Sequence, residues 1–530
     1  MNKIIYSFIL FFSLIQLSCK KDNRDSVAEN QDLIKDAKTN TIIRPIPNEV
    51  LEKLDDSLKL YYSKLNNYEI WYNDENRTDL INEIKFCHKD GLNADDYEFD
   101  KIKELESKRD KMDDSEIIDY DILLTKNYRK IATHLYKGKL KPTQLYNDWD
   151  LTKKELPLSD SLANAIKNTN VATSFKNIKP KDFMYKRIKR SLVLLEEYPE
   201  YHFNKIEVKD KIQLNDTTPV LVSIKKRLKY WKDYTKTDSI ITPIYDSTTF
   251  AAVKHFQKRH GLKPDGVIGK GTVKALNFSK NERRAQIIAN LERWKWFPHD
   301  FGEEYILVNL PDYSLNFVKN NDTIENHTVV VGKSSRRTPV LTSKISNLVF
   351  NPTWTVPPTI IKEDLTPSAT KNRNYFDRNK ISIFDKAGNI VSPEFWDPEN
   401  SKSYRYVQSP SYNNSLGLVK FNFNNRHMVY LHDTNHRDYF SREYKALSSG
   451  CVRVENPLKL SETILKLNDE KWKKSEIDTI LNRKNTKTIP IKNSINVLLL
   501  YWTNWSDGNQ LVFREDIYDL DKKLYDSLRN

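Results

Sequence analysis

The sequence predicts an α+β protein of several domains, with a helical first part, a small helical unit and a mainly β last part. Three observations lead to this class. A length of 530 residues corresponds to about three domains of ordinary size. Apolar residues recur at three-and-four spacing in the first part, as in Ile117, Leu124 and Tyr128. From Tyr305 onward, short β-type runs alternate with turn residues.

The N-terminus predicts an exported protein. Lys3 precedes an apolar run that ends at Leu17, and Ser18 and Cys19 follow, which is the pattern of a secretory signal with a lipidation cysteine. We therefore expect residues 1–19 to be a lipoprotein signal peptide and a lipid on Cys19 to hold the protein at a membrane. A plain cleaved signal is the alternative. Residues 20–45 are polar and predict a disordered tether, so the body should lie in the periplasm or cell envelope.

Two helical units follow. Residues 46–200 predict a helical domain. Residues 215–277 predict a small unit in which one helix leads through a Gly-containing turn into a second helix. Within it, Gln257, His260 and Asp265 either build the turn or contact a ligand, and the turn is the favoured interpretation.

The last part, residues 300–510, predicts a mainly β domain. A weakly patterned insert interrupts it at residues 360–419, and residues 511–530 are expected to form a C-terminal tail. The β-type runs are YILVNL, LNFV, HTVVVG, LVFNPTWTV, GLVKFNF, MVYLHDT and INVLLLYW.

A histidine and a cysteine in this β part suit thiolate acyl transfer. A buried strand ending at Leu431 would deliver His432 as the base, and a small flexible turn would present Cys451 nineteen residues later. The N–H groups of Gly450 and Cys451 are the expected oxyanion donors. Arg453 could hold the loop or bind a substrate carboxylate. For an isolated pair of this kind, ordinary packing would be the favoured interpretation.

The surrounding strings make the pair specific. YLHDT, residues 430–434, and SSGCVRV, residues 448–454, resemble the catalytic signature of the YkuD-type L,D-transpeptidases, which cross-link peptidoglycan stem peptides. Many members have a second histidine where this chain has Ser449, whereas the multidomain YcbB-like branch shares the serine. The resemblance implies Cys451 as nucleophile and His432 as general base, oriented by a backbone carbonyl such as that of Asp433. The Asp433 carboxylate is the less favoured orienting group.

The resemblance extends from about residue 50 to the C-terminus. HKDGLNADDYEF, residues 88–99, resembles the family's scaffold domain, and residues 215–277 resemble its peptidoglycan-binding domain. The insert at 360–419 corresponds to a mobile cap, although VQSPSYNNSLG lacks an Arg and a Gly of the usual string. The family implies Tyr430, Trp354 and Thr434 as substrate contacts, with core packing the alternative for the two aromatic residues.

The expected reaction is peptidoglycan cross-linking through a Cys451 thioester, with stem peptides and glycan as partners. Water as acceptor would give an L,D-carboxypeptidase, and the acceptor amine could also belong to another envelope protein. A non-catalytic, wall-binding lipoprotein is the alternative from another class. No metal or organic cofactor is expected. The net charge of +14 is spread along the chain, which favours compositional bias over nucleic-acid binding. We expect Cys87 to serve packing and no disulfide to form.

Overall fold

The computed structural model describes residues 33–35, 41–234, 241–493 and 495–530. The predicted signal peptide, Cys19 and most of the predicted tether lie outside these ranges. In the part of the tether that is described, Ile34–Lys35 (β1) and Ile42–Ile43 (β2) pair antiparallel. Within the described ranges, no helix has the length and apolar character needed to cross a membrane.

The first large unit is helical, as its apolar spacing predicts. Its central helix begins with a capping box between Asp113 and Glu116, and its inward stripe, including Leu124, Tyr128 and Ile131, is fully buried. The helices are α1 (Asn48–Lys53), α2 (Asp56–Ser63), α3 (Asp74–Lys85), α4 (Phe99–Lys108), α5 (Asp114–Lys137), α6 (Pro142–Leu145), α7 (Leu158–Lys167), α8 (Val171–Ile178) and α9 (Phe183–Glu196).

The second unit is small and also helical, and a long buried helix follows it. It contains α10 (Val220–Tyr230), α11 (Ser247–Arg259) and α12 (Lys270–Leu276), and the long helix is α13 (Lys280–Trp296). Gln257 is buried and holds the turn between α11 and α12, since it accepts from Gly266 N–H at 2.8 Å and donates to Val267 O at 2.9 Å. His260 is also buried, with Nδ1 2.8 Å from Phe256 O.

The third unit is built on one large sheet. Its strands follow the order β12-β13-β15-β6-β5-β4-β17-β7-β16, and β12 also pairs with β7, so the sheet closes on itself. A short strand from the first unit, Trp149–Asp150 (β3), pairs parallel with β7 and ties the helical unit to this sheet. The other strands are β4 (Glu304–Asn309), β5 (Ser314–Lys319), β6 (Asp322–Gly332), β7 (Val340–Phe350), β12 (Val419–Phe423), β13 (Leu431–His432), β14 (Ala446–Ser448), β15 (Val452–Val454), β16 (Lys487–Pro490) and β17 (Asn496–Leu500). Helices α17 (Pro457–Asn468) and α18 (Lys474–Asn482) lie between β15 and β16 in the chain.

An insert between β7 and β12 forms its own small sheet and core. The sheet has the order β10-β9-β11-β8, and its core is centred on Phe376, Trp396 and Tyr406. The insert's elements are β8 (Trp354–Thr355), α14 (Pro358–Ile360), a π-helical turn (Ile361–Leu365), α15 (Thr366–Lys371), α16 (Tyr375–Arg378), β9 (Ile381–Phe384), β10 (Ile390–Val391) and β11 (Arg405–Gln408). The segment 354–408, called the insert below, is therefore a separate folded body attached at both ends to the main sheet.

The C-terminal segment packs into the body of the protein. Strands β18 (Asn504–Asp507) and β19 (Gln510–Phe513) form a hairpin, and α19 (Asp521–Arg529) packs against α13. Leu511, Phe513, Leu524 and Leu528 are buried. The residues expected as a tail thus supply part of the core.

Candidate active site

Two neighbouring strands bring four predicted site residues to one face of the main sheet. β13 and β15 run parallel, with Leu431 opposite Val452 and His432 opposite Arg453. Because side chains two residues apart point to the same face of a strand, Tyr430, His432, Cys451 and Arg453 form a square on that face. The ring centroids of Tyr430 and His432 are 5.5 Å apart. The site is therefore built from residues whose contacts depend on strand register.

His432 is buried and fixed in one tautomer. Its Nδ1 contacts the backbone oxygen of Asp433, and because a carbonyl oxygen only accepts, Nδ1 carries the proton. The other ring nitrogen, Nε2, is left as the proton acceptor. Burial, followed by the positive charge of Arg453, lowers the pKa of His432 to about 3, so the ring is neutral at physiological pH.

The carboxylate of Asp433 bonds to other groups than the His432 ring, which favours its carbonyl over its carboxylate as the orienting group. It accepts from Leu418 N–H at 2.8 Å and from Arg437 Nη2 at 2.6 Å. A Cβ on Gly417 would lie 2.2 Å from Asp433 Oδ2, so glycine is needed for this close approach. Asp433 thus orients His432 through its carbonyl group.

The nucleophile loop is held by hydrogen bonds between residues 448 and 451. Ser448 Oγ donates to Cys451 O at 2.6 Å and accepts from Gly450 N–H at 3.1 Å. Gly450 has φ +117°, a conformation that disfavours any L side chain, although a Cβ there would make only ordinary van der Waals contacts. Of the two expected oxyanion donors, the Gly450 N–H is therefore occupied. The Cys451 N–H has no protein acceptor in the described ranges.

Comparison with known families agrees with this architecture. Residues 303–483 match the model of the YkuD family, described as "L,D-transpeptidase catalytic domain". Residues 56–192 match the model described as "Scaffold domain", and residues 218–276 match one described as "Putative peptidoglycan binding domain". The order of the three matches is the order of the three units.

The chain contains a catalytic domain of the YkuD-type L,D-transpeptidase family.

Individual relatives show how far the similarity reaches. The chain is 38% identical over 249 residues to a Haemophilus influenzae protein named "Putative L,D-transpeptidase". The match covers 46% of this chain and 50% of that protein. The chain therefore spans about half the length of this curated relative. Among solved structures, an L,D-transpeptidase from Stackebrandtia nassauensis is 14% identical, with 57% of this chain and 97% of that chain covered and a TM-score of 0.21. An L,D-transpeptidase from Xylanimonas cellulosilytica is also 14% identical, with 55% of this chain and 98% of that chain covered and a TM-score of 0.18.

The electrostatics of the transpeptidase domain act in two directions on the Cys451 thiol. Burial raises its pKa above the ordinary value, whereas hydrogen bonds from Tyr430 and the positive charges of Lys420 and Arg453 lower it. Burial has the largest effect, so the resting group is a thiol. A thiolate must therefore be formed by transfer of the proton to a base such as His432.

Arg453 offers an unused guanidinium to the cleft. Its Nε and Nη1 atoms are buried and, within the described ranges, have no hydrogen-bond partner. Its guanidinium carbon lies 5.6 Å from the ring centroid of Tyr439. Because a loop-supporting arginine would be bonded to loop carbonyls, this geometry favours the alternative in which Arg453 binds an anionic substrate group.

The other predicted contacts fall in different places. Tyr430 hydrogen-bonds to the Cys451 thiol and also to Trp354 at the start of the insert, so both lie close to Cys451. Ser449 is exposed, and its hydroxyl accepts from Arg336 Nη1 at 2.7 Å. Thr434 is fully buried, with its hydroxyl accepting from His436 N–H at 3.0 Å. Thr434 therefore shapes a turn, and its contact with substrate stays a prediction.

Sequence reasoning missed Lys420, which lies beside the catalytic pair. It is directly opposite His432 on the neighbouring strand β12, and its Nζ lies 3.9 Å from the centroid of the Tyr430 ring. No ion pair involving Lys420 occurs within the described ranges. The alternation in VKFNF predicts a strand, but no local signal says which strand is its neighbour.

Sequence reasoning also missed an anchor for the nucleophile loop. Thr338 Oγ1 donates to Gly450 O at 2.8 Å. The Thr338 N–H in turn donates to Tyr518 Oη at 3.2 Å, and Tyr518 Oη donates to Gly332 O at 2.7 Å. The C-terminal segment thus reaches the loop through two buried side chains.

Arg336 joins the loop to the insert. Besides Ser449, it contacts Glu363 through Nε at 2.8 Å and Asp364 through Nη1 at 2.8 Å, and both acids lie in the π-helical turn. π-Helical turns often mark functional positions in helices. A movement of the insert would therefore change the contacts of Arg336 with Ser449, two residues before Cys451.

The remaining titratable groups give no further centre of this kind. Within the described ranges, no cluster of three or more His, Cys, Asp or Glu residues could hold a metal ion. Cys87 and Cys451 are free cysteines, and Cys87 is fully buried. Burial raises the pKa of Cys87 to about 12, so its thiol is inert near neutral pH.

Proposed function

We propose that this protein is a peptidoglycan L,D-transpeptidase that works through a thioester on Cys451. The observation that carries the proposal is the square of Tyr430, His432, Cys451 and Arg453 on one face of the sheet. It combines a thiol, a neutral imidazole and an arginine, and among the described residues the imidazole Nε2 has no hydrogen-bond partner and the arginine has no counter-ion. Together these supply a nucleophile, a base and an anion-binding group.

The first step is acylation. His432 Nε2 takes the thiol proton, and the thiolate attacks the carbonyl of the diamino-acid residue in a donor tetrapeptide. The oxyanion is stabilised by the Cys451 N–H, and the Tyr430 hydroxyl is near enough to the sulfur to assist. Collapse breaks the peptide bond, and the imidazolium returns the proton to the leaving D-alanine amine.

The second step consumes the thioester. An amine from an acceptor stem attacks the thioester carbonyl, His432 accepts the proton of that amine, and the thiol leaves with a proton as the new peptide bond forms. Arg453 binds a stem-peptide carboxylate in either step. The low pKa of His432 matters here, because a neutral ring is available for each new substrate.

The insert favours an amine over water as the acceptor. It is a folded body whose Trp354 bonds to Tyr430 and whose Glu363 and Asp364 bond to Arg336 beside the loop. A body in this position shields a thioester from bulk water, which allows a bound amine to compete for it. If the insert did not shield the thioester, water would hydrolyse it and release a tripeptide.

The proposed location is the cell envelope, where peptidoglycan is found. The matched peptidoglycan-binding and catalytic models both suit this compartment. A lipid on Cys19, outside the described residues, would hold the protein at a membrane. The lipid anchor on Cys19 is tested by measuring the mass of the mature protein and by treating producing cells with globomycin. If the measured mass shows no diacylglycerol on Cys19, the alternative of a plain cleaved signal is supported.

The activity is tested by mass spectrometry of the purified protein after incubation with a disaccharide tetrapeptide. The matched variant is Cys451→Ala. A cross-linked dimer, together with an acyl adduct that requires Cys451, would establish transpeptidation. Release of D-alanine with a tripeptide as the sole product would establish hydrolysis. Absence of turnover and of an adduct, with the fold intact, would contradict catalysis and favour a wall-binding role.

A further inference from the structure

A second cavity lies away from the catalytic sheet face, between the small helical unit and the C-terminal segment. It has a volume of about 570 Å³ and is bordered by His260 and Leu262 after α11, by α12 and α13, and by residues 513–526. This volume lies within the range of small-ligand sites. Its floor is largely apolar, formed by Leu262, Ala275, Phe278, Ala285, Phe513 and Tyr525.

One charged side chain in this cavity has no counter-ion. Arg283 is only 3% exposed, and its guanidinium carbon lies 4.0 Å from the centroid of the Phe278 ring and 4.2 Å from that of Phe513. It donates to two neutral acceptors, Gln286 Oε1 at 2.8 Å and Ala275 O at 3.2 Å. Within the described ranges it makes no ion pair.

An uncompensated buried cation is unfavourable in a merely structural position. Burial lowers the pKa of Arg283 to about 9, and the positive charge of Arg259 acts in the same direction. The carboxylates of Glu282 and Asp521 act in the opposite direction, but neither forms an ion pair with Arg283, since Glu282 accepts from Ser279 N–H at 2.7 Å and Asp521 is paired with Arg293 at 2.8 Å. A carboxylate placed in the cavity would give Arg283 the counter-ion that the described residues do not provide.

The rim of the cavity is mainly acidic, although Lys274 and Lys522 also border it and pair with Glu515 and Asp526. Glu282, Asp519 and Asp526 are exposed around the opening, and the Asp519 carboxylate has no partner among the described residues. A purely anionic ligand would be repelled at this rim. The cavity therefore suits a ligand that has a carboxylate for Arg283, an ammonium group for the rim and small apolar groups for the floor.

We propose that this cavity is a second binding site, separate from the catalytic cleft, for a zwitterionic peptide of the peptidoglycan stem type. The choice of a stem peptide rests on the proposed function, because such peptides carry both carboxylates and the free amine of a diamino acid. The C-terminal segment, through residues 513–526, and the small helical unit would then form this site together. Recognition of the wall would be shared between the two units.

The test is calorimetric titration of the full chain carrying Cys451→Ala with a synthetic stem tetrapeptide that contains a diamino acid. Arg283→Met removes the buried charge, Ala285→Phe fills the cavity, and Ala251→Phe on the exposed face of α11 is the matched control. We expect one binding event to weaken roughly tenfold or more in the first two variants and to persist in the control, because a charged hydrogen bond or the volume itself is lost.

Thermal unfolding separates this role from a structural one. If Arg283 serves only the fold, Arg283→Met should lower the midpoint, whereas a ligand-binding arginine without a counter-ion should leave it unchanged or raise it. Acetylation of the peptide's side-chain amine should also weaken the same event. Equal binding in all variants would assign the peptide to the catalytic cleft, and absence of saturable binding would likewise overturn the inference. Because the protein titrated is inactive, loss of the proposed catalysis would not affect either outcome.

Discussion

Removal of one hydroxyl group on the C-terminal segment should slow acylation without changing the nucleophile. In Tyr518→Phe, Gly332 O loses its donor at 2.7 Å and Thr338 N–H loses its acceptor at 3.2 Å. Thr338 is the residue that holds Gly450 O at 2.8 Å. The loop beside Cys451 should therefore lose part of its support, while Cys451, His432 and their charges remain.

The magnitude follows from the two groups that lose their partners. Each buried, unsatisfied backbone group costs about 1–3 kcal/mol, so the free energy of unfolding should fall by a few kcal/mol at most. Loss of a complete oxyanion donor costs about 10²- to 10³-fold in rate, and displacement of the loop should cost less, roughly 10- to 100-fold. Tyr518 would thus act as a positioning residue.

Two reagents distinguish positioning from general damage. A carbapenem, which acylates the cysteine in this family, forms an oxyanion during attack, whereas iodoacetamide alkylates the thiolate without forming one. We expect Tyr518→Phe to lower the carbapenem acylation rate and to leave the alkylation rate near that of wild type. Tyr201→Phe, at an exposed ring, is the control and should change neither rate. Equal losses with both reagents, or no loss with either, would refute the reasoning.

Three further predictions concern the catalytic pair. Gly450→Ala should fold but lose most acylation, because alanine disfavours φ +117°; wild-type acylation rates would contradict the requirement for glycine. Lys420→Met should move the pH profile of Cys451 alkylation to higher pH, because a charge that lowers the thiol pKa is removed; an unchanged profile would contradict that influence. His432 has a folded pKa of about 3, below the unfolded value of about 6.5, so its contribution to stability is present above pH 6.5 and is lost as pH falls toward 3. Wild type should therefore lose about 1.4 kcal/mol more per pH unit than His432→Gln between about pH 6 and 4 in denaturant titrations, and parallel curves would contradict this.

Local patterns in the sequence determined the class of each unit and pointed to the pair proposed to react. The buried stripe of α5 follows from three-and-four spacing, which depends only on helix geometry. His432 and Cys451 were found because the signature around them is nearly continuous in the chain. Gly450 was singled out as part of a small, flexible turn that presents Cys451, and the structure gives it positive φ.

Tertiary structure alone decided which other residues surround that pair. Lys420 reaches the site because β12 pairs with β13, and Tyr518 reaches Thr338 because the C-terminal segment folds back onto the sheet. The direction of the Gly450 N–H, toward Ser448 Oγ, likewise depends on how the whole loop is held. Strand order and hydrogen-bond direction arise from contacts between residues far apart in the chain. The local spacing of residues does not predict those contacts.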